Sequence, residues 1–319
     1  MENHDIIINM TKIIVTGGAG FIGSNLVDAL VASGNDVVVI DNLTSGKKEY
    51  LNPLAKFYQA DIRSEEIAEI FDEEKPDFVY HLAAQIEVAK SVADPRLDND
   101  INVLGALNVL MNCARLKVKK IIFSSTGGAI YGEGAIIPTP EIALAEPISP
   151  YGIHKLTFEK YLNYYYQVFN QNYAILRFAN VYGPRQYKGG EAGVISIFIA
   201  NAVLGKSSLL YGDGGQTRDF VFISDVVAAL MLAKDNDCRE ALNIGLGREV
   251  NLLEVIREIE EATGKPFMKL DQPGRPGEQR RSCLDPSRAK SVLSWQAKVD
   301  LKEGIKETIS WAQANKGNL

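Results

Sequence analysis

Tyr151 and Lys155 stand four residues apart in SPYGIHK (149–155), directly behind a proline. On a helix this spacing puts a phenol and an ammonium on one face, and Pro150 suits the first position of such a helix. A phenol is a poor base at neutral pH. Bringing its pKa from ~10 to ~7 requires roughly 4 kcal/mol of preference for the phenolate. An ammonium ~6 Å away supplies under ~1 kcal/mol in bulk water but nearly 3 kcal/mol at an effective dielectric of about 20. The pair therefore transfers protons only in a partly dry pocket, where a second positive charge would help. With 13 tyrosines in the chain, about one Tyr-x-x-x-Lys match is expected by chance. Its surroundings decide between chemistry and an ordinary helix turn.

One such surrounding is TGGAGFIG (16–23), with Gly17, Gly20 and Gly23 spaced three apart. An apolar strand pattern, KIIVTG (12–17), precedes it, a helical pattern (21–33) follows, and Asp41 ends the next strand pattern, DVVVID (36–41). In that context Gly17 makes the tight turn, Gly20 lets the backbone approach a pyrophosphate, and Gly23 permits close helix–strand packing. The helix N-terminus supplies partial positive charge. A carboxylate at Asp41 can accept both adenosine ribose hydroxyls and would repel a 2′-phosphate, so NAD is favoured over NADP, with Lys47 and Lys48 the nearby cations.

The elements that must hold these residues follow the same alternation. PDFVYHLAA (76–84), KKIIFSST (119–126) and YAILRFANVYG (173–183) read as further buried strands, with a helical segment at 99–115. Continuous Val/Ile/Leu/Phe runs suggest strands covered on both faces, hence an α/β, Rossmann-type doubly wound parallel sheet. After Gly183 the texture changes. Segments 184–217 and 264–289 are rich in Gly, Pro, Arg and Gln, as ligand-contacting loops are. Between them 219–233 and 241–245 return to strand and helix patterns. The expected division is an NAD-binding part over 10–183 plus about 219–245, and a smaller, interleaved substrate-binding part over about 184–218 and 246–319.

Bulk properties narrow the classes. The 319 residues are 46% apolar and 23% charged, as in soluble globular proteins. The net charge of −6 disfavours nucleic acid or an anionic membrane as partner. Cys113, Cys238 and Cys283 form neither a disulfide framework nor a zinc site, so no metal is expected and a reducing cytoplasm suits them. Residues 1–9 lack a signal-peptide pattern, Met10 is an alternative start, and no apolar run approaches the ~20 residues of a membrane span.

FSSTGGAIYG (123–132) places hydroxyls at a strand's carboxyl end, where open α/β sheets bind ligands. Ser124 reads there as a ligand contact or as part of a Ser/Thr-rich turn. Taken together, TGGAGFIG, HLAA (81–84), SST (124–126) and YGIHK (151–155) resemble an extended short-chain dehydrogenase/reductase. RFANVYGPRQ (177–186), GDGGQTRDFVFISD (212–225) and RPGEQRRSCLDPSRAKSVLSW (275–295) are similar to its nucleotide-sugar branch, particularly the UDP-glucose (UDP-galactose) 4-epimerases. The likeness runs from about Lys12 over nearly the whole chain.

The resemblance implies roles. Tyr151 would remove a proton from a sugar hydroxyl while hydride leaves the same carbon. Thr126 would bond that oxygen, and Lys155 would also bind the nicotinamide ribose. The NAD site would include Gly17, Gly20, Phe21, Ile22, Gly23, Asp41, Asn42, Asp61, Ile62, Leu82, Ala83, Ala84, Ser124, Tyr151, Lys155 and Phe178. The UDP-hexose would meet Thr126, Asn180, Val194, Tyr211, Arg218, Arg275 and Glu278. In this reading the two arginines and Asn180 contact the diphosphate, and Tyr211 and Glu278 the uracil and ribose. Arg218 has a plainer reading as a surface salt bridge with Asp219. Related dehydratases and decarboxylases carry acids directly after the site threonine, where this chain has Gly127 and Gly128. The implied reaction is therefore 4-epimerisation through a 4-keto sugar with NAD recycled in place. The alternatives are a neighbouring nucleotide-sugar enzyme (N-acetylhexosamine or uronate epimerase, decarboxylase or 4,6-dehydratase) or a non-catalytic NAD-binding scaffold.

His81 and His154 match no catalytic position and read as structural, and Arg280 and Arg281 as solvated. Candidate walls of the sugar pocket are Ile86, Glu87 and Gly193. The tyrosines of YLNYYY (161–166) read as helix packing and, with the 99–115 helix, as a homodimer face by analogy with the family.

Overall fold

The computed structural model describes residues 10–186, 193–274 and 279–318. The first half builds β1 (Lys12–Thr16), α1 (Phe21–Ala32), β2 (Asp36–Ile40), β3 (Lys56–Tyr58), α2 (Glu66–Glu74) and β4 (Phe78–His81). It continues through α3 (Val88–Ala93), α4 (Pro95–Asn99), α5 (Ala106–Leu116), β5 (Lys120–Thr126), the single turn α6 (Gly127–Ile130), and α7 (Pro150–Phe169). The second half builds β6 (Tyr173–Phe178), β7 (Asn180–Tyr182), α8 (Val194–Leu204), β8 (Ser208–Tyr211), β9 (Thr217–Arg218), β10 (Phe220–Phe222) and α9 (Ile223–Asp235). It ends with β11 (Ala241–Ile244), β12 (Val250–Asn251), α10 (Leu252–Thr263), β13 (Lys269–Gln272), α11 (Ser287–Leu293) and α12 (Leu301–Ala314).

Seven parallel strands form the central sheet in the order β11-β6-β5-β4-β1-β2-β3. Alternate side chains of the same strands enter opposite layers, as the period of two requires. Ile13, Val15, Val37 and Val39 pack with α1 and α9, whereas Ile14, Val38, Ile40, Val79 and Ile121 pack with α2, α5 and α7. Both faces are thus covered, which is why these strands read as unbroken apolar runs. A third cluster joins α8, α10 and α12 to β10 through Phe198, Ile199, Val255, Ile256, Ile305 and Phe222.

Four sequence expectations need correction. The run 173–183 is not one strand: β6 stays in the central sheet, while β7 pairs with β10 in a separate ribbon. The strand in 76–84 stops at His81, and Leu82 to Gln85 form a loop over its carboxyl end. The helix expected over 99–115 is interrupted by a π-helical turn, Asp100–Gly105. Segments 184–217 and 264–289 also hold regular structure, namely α8, β8, β9, β13 and the start of α11.

Candidate active site

At the end of β1, Gly17 adopts φ +75° and its N–H donates to Ile40 O at 2.8 Å. A Cβ there would lie 2.6 Å from the Ala83 amide nitrogen, so only glycine lets the loop pass beneath the 82–85 segment. Gly20, in extended conformation, caps α1. The first-turn amides after it have no intrahelical acceptor and carry the positive end of the helix dipole. Asp41 is buried at the end of β2 and accepts from Ala19 N (3.0 Å) and Leu43 N (2.8 Å). Burial pushes its pKa up against those two bonds. Beside it, Asn42 donates to Asp61, whose carboxylate is held well below its usual range chiefly by Arg63.

Across the crevice, Ser149 caps α7 by accepting from Gly152 N at 3.2 Å, and Pro150 fills the first helical position. Lys155 is buried, its Nζ 3.0 Å from Ser124 O and 6.0 Å from the centroid of the Tyr151 ring. Burial lowers its pKa to about 8, and Asp98 and then Glu159 oppose the fall. The Tyr151 amide donates to Ser91 Oγ at 3.2 Å. Thr126 ends β5, and a Cβ added at the nearby Gly128 would lie 4.0 Å from its Oγ1 and 3.9 Å from Asn180 Oδ1.

These two sets of residues enclose one cavity of about 370 Å³. All sixteen residues expected to hold the cofactor line it, as does Thr126. A tight glycine turn, a helix N-terminus and a buried carboxylate on one crevice fit a dinucleotide. In that crevice Gly17, Gly20 and the first turn of α1 would hold the pyrophosphate and Asp41 the adenosine ribose. The sequence reading missed several wall residues, including Thr44, Ser45, Gln85 and Lys90. Gln85 directly follows the HLAA motif, a usable signal, whereas Lys90 carries none.

The substrate set is less concentrated. Asn180, Val194, Tyr211 and Arg218 lie outside the walls of this cavity and of a second one, about 380 Å³, beyond Gly127 and Gly128. Tyr211 pairs in register with Gln272, and Thr217 N donates to Arg280 O. Arg275 and Glu278 fall outside the described residues. Ile86 and Glu87 line the cofactor cavity, and Gly193 precedes α8.

Other expectations resolve individually. His81 is structural: its Nδ1 lies 2.8 Å from Thr16 Oγ1, and burial lowers its pKa to about 3. His154 bonds Asp98. Asp219 does not pair with Arg218. It is buried and accepts from Leu246, Gly247 and Leu284 amides, and burial raises its pKa to about 6. Arg280 and Arg281 are exposed as expected but form ion pairs with Asp213 and Glu249. Tyr161, Tyr165 and Tyr166 pack on the core, as expected.

Fold and site together define a Rossmann-type enzyme that binds a dinucleotide beside a tyrosine–lysine pair. The model of the NAD dependent epimerase/dehydratase family matches residues 13–245, and the chain belongs to that family. It is 45% identical over 303 residues to a putative UDP-glucose 4-epimerase of Methanocaldococcus jannaschii, covering 95% of this chain and 99% of that one. Among solved structures it matches the Thermotoga maritima UDP-glucose 4-epimerase with UDP-glucose, at TM-score 0.93 and 45% identity over 95% of this chain and 99% of that one. It also matches the Thermus thermophilus UDP-glucose 4-epimerase in complex with NAD, at TM-score 0.91 and 40% identity over 96% and 100%.

Proposed function

We propose that the protein is an NAD-dependent UDP-glucose 4-epimerase that interconverts UDP-glucose and UDP-galactose through a 4-keto sugar. The observation that carries this reading is that Tyr151, Lys155 and Thr126 border the same cavity as the glycine loop and Asp41. NAD, held by the glycine loop and Asp41, would supply the redox chemistry at C4 as a hydride acceptor and donor. Tyr151 accepts the proton of the C4 hydroxyl and returns it to the same oxygen when the 4-keto sugar is reduced from its opposite face. Thr126 Oγ1 bonds that oxygen and keeps it in line with the phenol. Lys155, buried and anchored on Ser124 O, keeps a positive charge beside the phenolate. Gly127 and Gly128 offer no side-chain acid, which disfavours dehydration and decarboxylation.

For both faces of C4 to be presented, the sugar must turn while the rest of the substrate stays fixed. We assign that grip to Arg218, Arg275 and Asn180 on the diphosphate, and to Tyr211, Glu278 and Val194 on the nucleoside side. We read residues 10–183 plus about 219–245 as the NAD-binding part, and about 184–218 and 246–319 as the nucleotide-sugar part. Exposed Leu104, Met111, Ile153, Val168 and Phe169, on the packed 100–116 segment and α7, support a homodimer face. No described helix is long and apolar enough to cross a membrane, and we read the location as cytoplasmic. The deciding experiment incubates purified protein with UDP-galactose. UDP-glucose formation without added reductant is expected, and no interconversion overturns the reading.

A further inference from the structure

Asp98, on α4, is 1% exposed. Its Oδ1 accepts from Gln85 Nε2 at 2.7 Å and Asn102 Nδ2 at 3.1 Å, and its Oδ2 lies 2.5 Å from His154 Nδ1. Asn102 belongs to the π-helical turn and exchanges two further bonds with the Gln85 backbone, 2.8 and 3.0 Å. One carboxylate therefore gathers the loop lining the cofactor cavity, the π turn, α4 and the start of α7. His154 follows Tyr151 by three residues and precedes Lys155 by one.

Lys155 faces few charged groups. Glu159, on α7, is matched by Arg177 through Nε (3.0 Å) and Nη2 (2.6 Å) and accepts from Ser125 Oγ at 2.6 Å. His81, on β4, and Tyr151 and His154, on α7, are the other titratable neighbours. Among the described residues Asp98 has two neutral amides and the imidazole as hydrogen-bond partners, and no lysine or arginine bonded to it. Asp98 thus reaches, through the His154 ring, the chain neighbour of Lys155, and it is the largest charge that favours the ammonium.

We propose that Asp98 and His154 are positioning residues: their hydrogen bond locks the start of α7, carrying Tyr151 and Lys155, against α4, and the Asp98 carboxylate is the buried countercharge of the Lys155 ammonium. The π-helical turn has a reason in this arrangement, since it turns Asn102 toward both Asp98 and Gln85. Burial already pulls the Lys155 pKa down to about 8 with Asp98 as the first opposing charge. Removing that charge lets the ammonium lose its proton at lower pH. This inference rests on the reading of Tyr151 and Lys155 as the proton-transfer pair.

The test uses full-length, NAD-loaded protein and three variants, Asp98→Asn, His154→Leu and His154→Gln. Turnover of UDP-galactose is followed across neutral and alkaline pH. In parallel, the Lys155 ε-carbon resonance, assigned by its absence in Lys155→Met, is titrated by NMR. In Asp98→Asn the alkaline midpoint of kcat and the Lys155 titration both move down by about one pH unit, with KM unchanged. His154→Leu lowers kcat on the order of tenfold with KM kept, and His154→Gln, whose amide can still donate to Asp98, restores most of it. An unmoved alkaline midpoint or Lys155 titration in Asp98→Asn overturns the proposal. So does a His154→Leu variant as fast as wild type, or a His154→Gln variant as slow as the leucine one. Should Asp98→Asn fail to fold, the His154 pair decides. Should wild type not turn over UDP-galactose, the epimerase reading fails, and the Lys155 titration still decides this one.

Discussion

The Lys155 ammonium donates to the backbone carbonyl of Ser124 at 3.0 Å. The helix that carries the phenol and the strand that carries the hydroxyls are thereby joined at their functional ends. Ser124 contributes through its carbonyl, while its hydroxyl donates to His81 O at 3.3 Å. The same ammonium lies 6.0 Å from the centroid of the Tyr151 ring.

Tyr151→Phe removes the proton acceptor and leaves Lys155 and the glycine loop in place. Turnover should fall by roughly 10²–10⁴, while NAD released on denaturation should match wild type. Turnover retained in this variant would remove Tyr151 from the mechanism.

The alkaline limb of turnover follows from Lys155. Its folded-state pKa, about 8, lies below the ordinary lysine value of 10.5 because burial disfavours the charge. The ammonium is present below that value and lost above it, so kcat/KM for UDP-galactose should decline as pH rises through about 8. A profile flat through that range would show that the ammonium does not support the phenolate.

Asp219 gives stability the opposite dependence from a paired carboxylate. Burial raises its pKa from 3.8 to about 6 in the folded protein, so the native state binds more protons than the unfolded one between those values. Its contribution is greatest at low pH and is lost as pH rises through that window. Asp219→Asn has no such titration. The difference in Tm between wild type and variant should therefore change across the window and be constant above it.

Gly17→Ala introduces a Cβ at φ +75°, 2.6 Å from Ala83 N. We expect a loss of at least ~1 kcal/mol in stability from the conformation alone. Displacement of the 82–85 segment should also abolish NAD retention. Thermal unfolding and the absorbance of released cofactor measure the two separately.

The glycine loop and Asp41 were legible because a strand pattern precedes each, and the Tyr-Lys pair because its helical spacing follows a proline. The split after Phe178 was not, because the apolar run continues across Ala179 and carries no mark of which sheet each half joins. VISIFIANAVL, the α8 sequence, is apolar all round and lacks the polar face that announces a surface helix. Lys56–Tyr58 is too short to show a period. Nothing in the sequence singles out Asp98 and Asn102, whose burial appears only once α7 is packed against their segment.

Tyr173–Phe178 is flanked in the central sheet by Ala241–Ile244, and Ala289, Leu293 and Trp295 share a cluster with Ile13 and Val37. β1 therefore waits for α11, far along the chain, before its layer can close. Nascent chains must carry uncovered apolar strands until α11 is made, so neither half of this enzyme is expected to accumulate as a folded fragment when expressed without the other.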